Sequence, residues 1–255
     1  MSKTLTIPDN WTATDIPDLT GKRFLITGAT SGIGKETARL LVSLGCKVVI
    51  NARGKDRLEE LVQELGSDNT AYVAGDCADP AVARQISKLA LEKFGKIDIV
   101  IPNAGIGMYG SILDYSDDQI SQMLRTNIDS TIHIIRAALP AMIESGFGDI
   151  VIVASVAGFQ SAANQAVYSG TKHAQVGIAA ALDRELREKG VRVALICPAG
   201  VATEFAMGTG RTAGMEKLAT YLKPEDVAHQ IAHILQQPKS IRTFIWTLWS
   251  MNQQS

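Results

Sequence analysis

The chain has 255 residues, 46% hydrophobic and 20% charged, and its 25 lysines and arginines against 26 aspartates and glutamates leave a formal net charge of -1. That balance excludes a surface built for nucleic acid or for an anionic membrane, and no apolar run is long enough to span a bilayer. The three cysteines, Cys46, Cys77 and Cys197, are scattered without CxxC spacing, which points away from disulfides and zinc and towards a reducing compartment.

Residues 1–20 carry Pro8, Pro17 and several Asp and Thr, the composition of an extended arm. This stretch has no basic-flanked apolar core of the signal-peptide kind, so a soluble cytoplasmic protein is expected, with the arm followed by one domain over 21–255. From Lys22 onward strand and helix patterns alternate. Apolar strand candidates fall at 23–27, 47–51, 70–74, 97–101, 149–154, 191–196 and 241–247. Helical periodicity occupies 33–44, 56–65, 80–94, 117–144, 167–188 and 224–236. Near-continuous apolar strands alternating with helices imply a parallel sheet covered on both faces, and right-handed crossovers make it a doubly wound Rossmann fold of seven strands.

The first strand runs into Thr27-Gly28-Ala29-Thr30-Ser31-Gly32-Ile33-Gly34, a glycine-rich turn opening a helix. Glycines allow close backbone approach, and a helix N-terminus offers free N–H groups and a positive dipole to a pyrophosphate; Gly28, Thr30, Ser31, Gly32, Ile33 and Gly34 are therefore candidate cofactor contacts. The spacing is GxxxGxG, so the assignment leans on its place after the first strand. The second strand leads into Ala52-Arg53, where a fold preferring NAD carries Asp or Glu; a guanidinium suits a 2′-phosphate, and NADP is favoured, with Lys55 and Arg57 as helpers. The third strand candidate leads into Gly75-Asp76-Cys77, set to meet an adenine edge, and the fourth into Pro102-Asn103-Ala104-Gly105, small residues beside which a cofactor can lie flat. The sixth is followed by Pro198-Ala199-Gly200-Val201-Ala202-Thr203, where a Val N–H or Thr hydroxyl reaches towards a nicotinamide carboxamide. Residues 204–222, rich in Gly, Thr, Ala and Met, have the composition of a substrate lid.

Tyr168-Ser169-Gly170-Thr171-Lys172 opens a helix, so Tyr168 and Lys172 lie at i and i+4 on one face. A nearby ammonium favours the phenolate and draws the phenol towards a useful range for acid–base work. Ser155 follows the apolar run ending at Ala154, which places its hydroxyl at the carboxyl edge of the sheet where ligands bind. A lone YxxxK is commonly just part of a solvated helix face; the accompanying motifs give it meaning. His229 and His233 stand at i and i+4 without a third ligand, so no metal site is expected.

Taken together, TGATSGIG at 27–34, PNAG at 102–105, Asn127, Ser155 and YSGTK at 168–172 closely resemble the short-chain dehydrogenase/reductase family, in colinear order over about residues 20–247. The resemblance implies an NAD(P)-dependent oxidoreductase. In it Tyr168 is general acid in reduction and base in oxidation, and Lys172 lowers the Tyr168 pKa and binds the nicotinamide ribose. Ser155 holds the substrate oxygen, and Asn127, mid-helix in 117–144, marks a local break in hydrogen bonding and anchors a water in the proton relay. Pro102 and Ala199 depart from the family's usual NNAG and PGxVxT.

The reading is an NADP(H)-dependent carbonyl reductase. Its alternatives are a dehydrogenase of 3-hydroxy acids or serine-like substrates, with Arg211 or Lys217 meeting a carboxylate, and a non-catalytic NADP-binding scaffold. Met108, Tyr109, Phe159, Gln165, Phe205 and Met207 are expected to line the substrate space. The stripe Ile132, Ile135, Ala137, Ala138, Ala174, Ile178 and Ala181 reads as core by periodicity, whereas the resemblance implies helices pairing in a homodimer or homotetramer.

Overall fold

Alternation along β1 (Arg23–Thr27) shows how the sheet is covered: Phe24 and Ile26 point to one face and Leu25 to the other, all three at most 1% exposed. Burial on both faces continues along β2 (Lys47–Ala52), while β3 (Thr70–Ala74), at one edge, is buried only at Thr70 and Ala71. Strands β4 (Ile99–Ile101), β5 (Gly148–Val153) and β6 (Val191–Pro198) are again buried nearly throughout, and β7 (Ile245–Leu248) closes the other edge. In this computed structural model, which describes residues 17–253, the strands form one parallel sheet in the order β3-β2-β1-β4-β5-β6-β7. Nearly all of the expected arm lies outside the described residues. The chain winds outward from β1 to β3, then returns to lay β4 on the other side of β1. That reversal leaves a crevice beyond the carboxyl ends of β1 and β4.

Helices α1 (Gly32–Ser43), α2 (Lys55–Leu65) and α7 (Pro224–Leu235) cover one face, where Leu41, Leu58, Leu61, Val227 and Ile231 pack on Phe24, Ile26, Val48 and Ile50. The other face carries α3 (Pro80–Phe94), α5 (Ser130–Glu144) and α6 (Ala166–Leu186), whose Ile86, Ile134, Met142, Ala179 and Leu186 meet Leu25, Val49, Val100 and Ile150. Full burial of each large aliphatic side chain stabilises the fold by roughly 1.5–3 kcal/mol. Local signals agree with these boundaries. Asp79 caps α3 by accepting from the Ala81 N–H at 2.7 Å, Pro80 takes the first turn, and Gly95 ends the helix at φ +73°.

Two sequence expectations need correction. The stretch 117–144 is not one helix: α4 (Asp117–Leu124) and α5 are joined by a π-turn over Arg125–Asp129 that contains Asn127. The seventh strand begins at Ile245, not 241, because Arg192 Nη1 binds the carbonyls of Gln237, Pro238 and Ile241, and Arg242 pairs with Asp183, which holds the chain before it as a loop. The apolar stripe also divides. Ile135 and Ala138 are core, whereas Ile132 is 39% exposed.

Candidate active site

The carboxyl edge of the sheet opens into one cavity of about 1140 Å³, lined by all the candidate catalytic and cofactor-binding residues except Gly34, Asn127 and the helper Lys55. Its nucleotide end is shaped by packing that admits no side chain. A Cβ at Gly28 would lie 2.8 Å from Ala104 Cα, and one at Gly34 would lie 2.3 Å from the Gly28 carbonyl oxygen, so the turn and the start of α1 close on each other. Gly28 and Gly32 also take φ of +65° and +50°, which favour glycine. Asn103 fixes this turn from β4, its Nδ2 donating to the carbonyls of Thr27 at 2.9 Å and Gly28 at 3.0 Å. Thr203 sits on Gly32 from the other side, its Cγ2 3.0 Å from where a Cβ would stand. Such a bare, donor-rich cradle at a helix N-terminus fits a pyrophosphate. Arg53, Asp76 and Cys77 line the adjoining end; Arg53 is exposed, and Arg57 reaches across to Glu204 at 3.5 Å.

At the other end, Tyr168 in the first turn of α6 is 7% exposed. Its ring lies edge-on to Tyr109 at 5.6 Å and tilted against Phe205 at 5.7 Å. Ser155 caps the short turn that follows β5: its Oγ accepts from the Ala157 N–H at 3.1 Å and donates to the Pro198 carbonyl at 3.4 Å. Burial pushes the Tyr168 phenol up, reinforced by Tyr109, while the polar Ser155 side chain pulls the other way. The net direction is upward, so burial outweighs the pull expected from Lys172. Lys172 Nζ stands 5.8 Å from the Tyr168 ring centroid and is turned instead to the Val153 carbonyl at 3.2 Å and Gln175 Oε1 at 2.9 Å. Burial in turn lowers the Lys172 ammonium from 10.5 to about 8. At neutral pH it still carries its charge at the floor of the cavity.

Asn127 is fully buried behind this floor. Its Oδ1 accepts from the Ile106 N–H at 2.8 Å, and its Nδ2 donates to the Ile106 carbonyl and to Thr171 Oγ1, both at 2.9 Å. The π-turn is thereby tied to the loop after β4 and to α6. Among the expected lining residues, Met108, Tyr109, Gln165, Phe205 and Met207 border the cavity; Phe159 does not, being 41% exposed outside it. Gln160, Met215, Tyr221 and Trp249 also line it and carry no sequence signal beyond their residue type. Asn51 was also invisible in the sequence: its Nδ2 donates to the Val73 and Gly75 carbonyls at 2.9 and 3.1 Å, holding the ends of β2 and β3 in register. Arg211 lies over the rings of Phe205 and Tyr221 at 5.7 and 5.2 Å and donates to the Val201 carbonyl at 2.9 Å.

A doubly wound sheet with a glycine cradle and a Ser, Tyr and Lys meeting in one cleft defines an oxidoreductase of the dinucleotide-using class. The chain belongs to the short chain dehydrogenase family, which it matches over residues 22–214. An uncharacterized oxidoreductase of Staphylococcus aureus (strain MRSA252) is 36% identical over 223 residues, 88% of this chain and 94% of the relative. Among solved structures, the closed form of a serine dehydrogenase complexed with NADP+ superposes with a TM-score of 0.86 at 29% identity, covering 91% of this chain and 96% of the other. A 3-ketoacyl-(acyl-carrier-protein) reductase from Brucella melitensis complexed with NADH gives 0.83 at 30% identity, covering 92% and 99%. No helix among the described residues is long and apolar enough to cross a membrane.

Proposed function

We propose that this protein is an NADP(H)-dependent carbonyl reductase, reversibly converting a ketone or aldehyde into the corresponding alcohol. The observation that carries the reading is the buried Tyr168 phenol, which lines with Ser155 and Lys172 the same cavity that the glycine cradle opens. The reduced nicotinamide supplies the hydride. Ser155 and Tyr168 bind the substrate oxygen as negative charge grows on it, and Tyr168 gives its proton to that oxygen. Because burial keeps the phenol protonated, it is poised as a donor; Lys172 beneath it stabilises the phenolate left behind. Asn127 holds the π-turn and α6 together so that these groups keep their positions.

NADP is favoured by Arg53 at the end of the β2 loop, with Ala52 rather than a carboxylate before it. The relatives' structures hold NADP+ in one case and NADH in another, so the preference rests on these residues. We place the protein in the cytoplasm as a homodimer or homotetramer joined through the helices on either side of Asn127, α4 and α5, and the Tyr168 helix α6; Leu124 and Ile132 on the first two are 43% and 39% exposed. Residues 204–222 act as the substrate lid. The test is NADPH and NADH consumption measured by absorbance against aromatic ketones, aliphatic aldehydes and 3-oxo acids. NADPH consumption with ketones supports the reading, and silence with every carbonyl favours a non-catalytic NADP-binding scaffold.

One observation favours a second reading, oxidation of a 3-hydroxy acid or serine-like alcohol. Arg211 borders the cavity near Tyr168, framed by Phe205 and Tyr221. A guanidinium there suits a substrate carboxylate. Unchanged Michaelis constants for acids in Arg211→Ala would dismiss it.

A further inference from the structure

Behind the catalytic lysine lies a polar network that the reaction as proposed does not use. Gln175, one turn after Lys172 on α6, is 1% exposed, and every polar group around it is buried: Lys172 at 4%, Thr131 at 1% and Asn127 at 0%. Its Oε1 accepts from Lys172 Nζ at 2.9 Å. Its Nε2 donates to the Asn127 carbonyl oxygen at 3.0 Å and to Thr131 Oγ1 at 2.9 Å, while the Thr131 hydroxyl donates to the same carbonyl at 2.9 Å. The amide orientation is fixed by its neighbours, since an ammonium can meet only the oxygen and a carbonyl only the NH2.

We propose that Gln175 is a positioning residue for Lys172, its carboxamide bridging the lysine Nζ to the main-chain carbonyl of Asn127 in the π-turn. This rests on the reading of Tyr168 and Lys172 as the acid–base pair. The bridge joins Lys172 to Asn127, the residue to which the family resemblance assigns a water. Of the two acceptors that hold Nζ, the Val153 carbonyl belongs to the sheet, so Gln175 is the side chain that anchors the ammonium. A buried carboxamide is costly unless fully paired, and the Lys172 contact completes the pairing. The titratable groups facing this pair are Tyr168 on α6 and Cys197 on β6, and Tyr168 in turn faces Tyr109 and Arg211.

Gln175→Leu removes the acceptor while keeping the volume. Loss of one hydrogen bond to a charged group disfavours the ammonium, so the Lys172 titration followed by 15N NMR of the whole chain should fall by about one to two pH units. Gln175→Glu places a carboxylate at the same spot and should move it upward. Opposite signs are not the signature of general loosening. In alcohol oxidation, the acid limb of the kcat profile in Gln175→Leu should move to higher pH as Lys172 supports the phenolate less, with kcat down at least tenfold. Unchanged Lys172 titration in either folded variant, or shifts of the same sign in both, overturns the proposal; if Gln175→Leu prevents folding, Gln175→Glu alone decides by its upward shift or its absence. Wild-type silence towards all carbonyls and alcohols would instead sink the proposed function, and the NMR titration, which needs no turnover, tells the two failures apart.

Discussion

Lys172 makes a stability prediction whose sign and size follow from its surroundings. Burial holds its ammonium at about 8 in the folded protein against 10.5 for a free lysine. Between those values the unfolded chain binds a proton that native Lys172 has released, so stability from this group rises with pH through that window and is absent below it. The full window corresponds to about 3 kcal/mol, of which about 2 kcal/mol is reached by pH 9.5. Cys46, Cys77 and Cys197, pushed up by burial to about 12, 11 and 11, act in the opposite direction, because the native protein keeps protons there that the unfolded chain gives up. The Lys172 share is therefore read as a difference. Urea unfolding of the wild type and Lys172→Met, under reductant from pH 7 to 9.5, should show the wild type gaining about 2 kcal/mol relative to the variant. Parallel pH curves would refute the burial of this ammonium, and with it the anchoring by Val153 and Gln175.

Gly34→Ala drives a methyl to 2.3 Å from the Gly28 carbonyl; a loss of about 1–3 kcal/mol in urea unfolding is expected, and an unchanged midpoint would contradict the close packing of the cradle. Arg192→Met strands Asp149, which sits buried against Arg192 Nε at 2.5 Å. The cost should be about 3–5 kcal/mol at pH 7 and shrink towards pH 5 as the orphaned carboxyl takes up a proton, because its folded pKa is already raised by burial; a loss independent of pH would argue against that orphaned charge. Arg53→Ala should raise the KM for NADPH about tenfold to a hundredfold and leave that for NADH unchanged; equal effects on both would dismiss the 2′-phosphate contact.

Much of the sheet was legible because a strand buried on both faces needs an apolar residue at every position, and runs such as Lys47-Val-Val-Ile-Asn51 contain little else. The glycine cradle was legible too, since its tight turn and close approaches exclude side chains. Periodicity gave no sign of the π-turn, since it runs unbroken through Arg125–Asp129; a local break at Asn127 was legible only through the family resemblance. The direction of Lys172 was hidden for a related reason. Spacing at i and i+4 puts it beside Tyr168, but its four-carbon stem carries Nζ to acceptors from β5 and from its own next turn. Gln175 reads in isolation as one more polar helix residue, and its role depends on Asn127 and Thr131, more than 40 positions away. The Arg211 environment depends likewise on long-range closure, with the Tyr109 N–H donating to the Thr209 carbonyl at 2.7 Å.

The central claim is that Tyr168 moves the proton in a nicotinamide-dependent carbonyl reduction. Its most direct test is steady-state turnover of Tyr168→Phe beside the wild type, on the best ketone of the panel, with NADPH binding followed separately by fluorescence. The variant's kcat should fall by about 10²–10⁴-fold while its NADPH Kd stays within a few-fold. A variant that keeps most of the wild-type rate would contradict it.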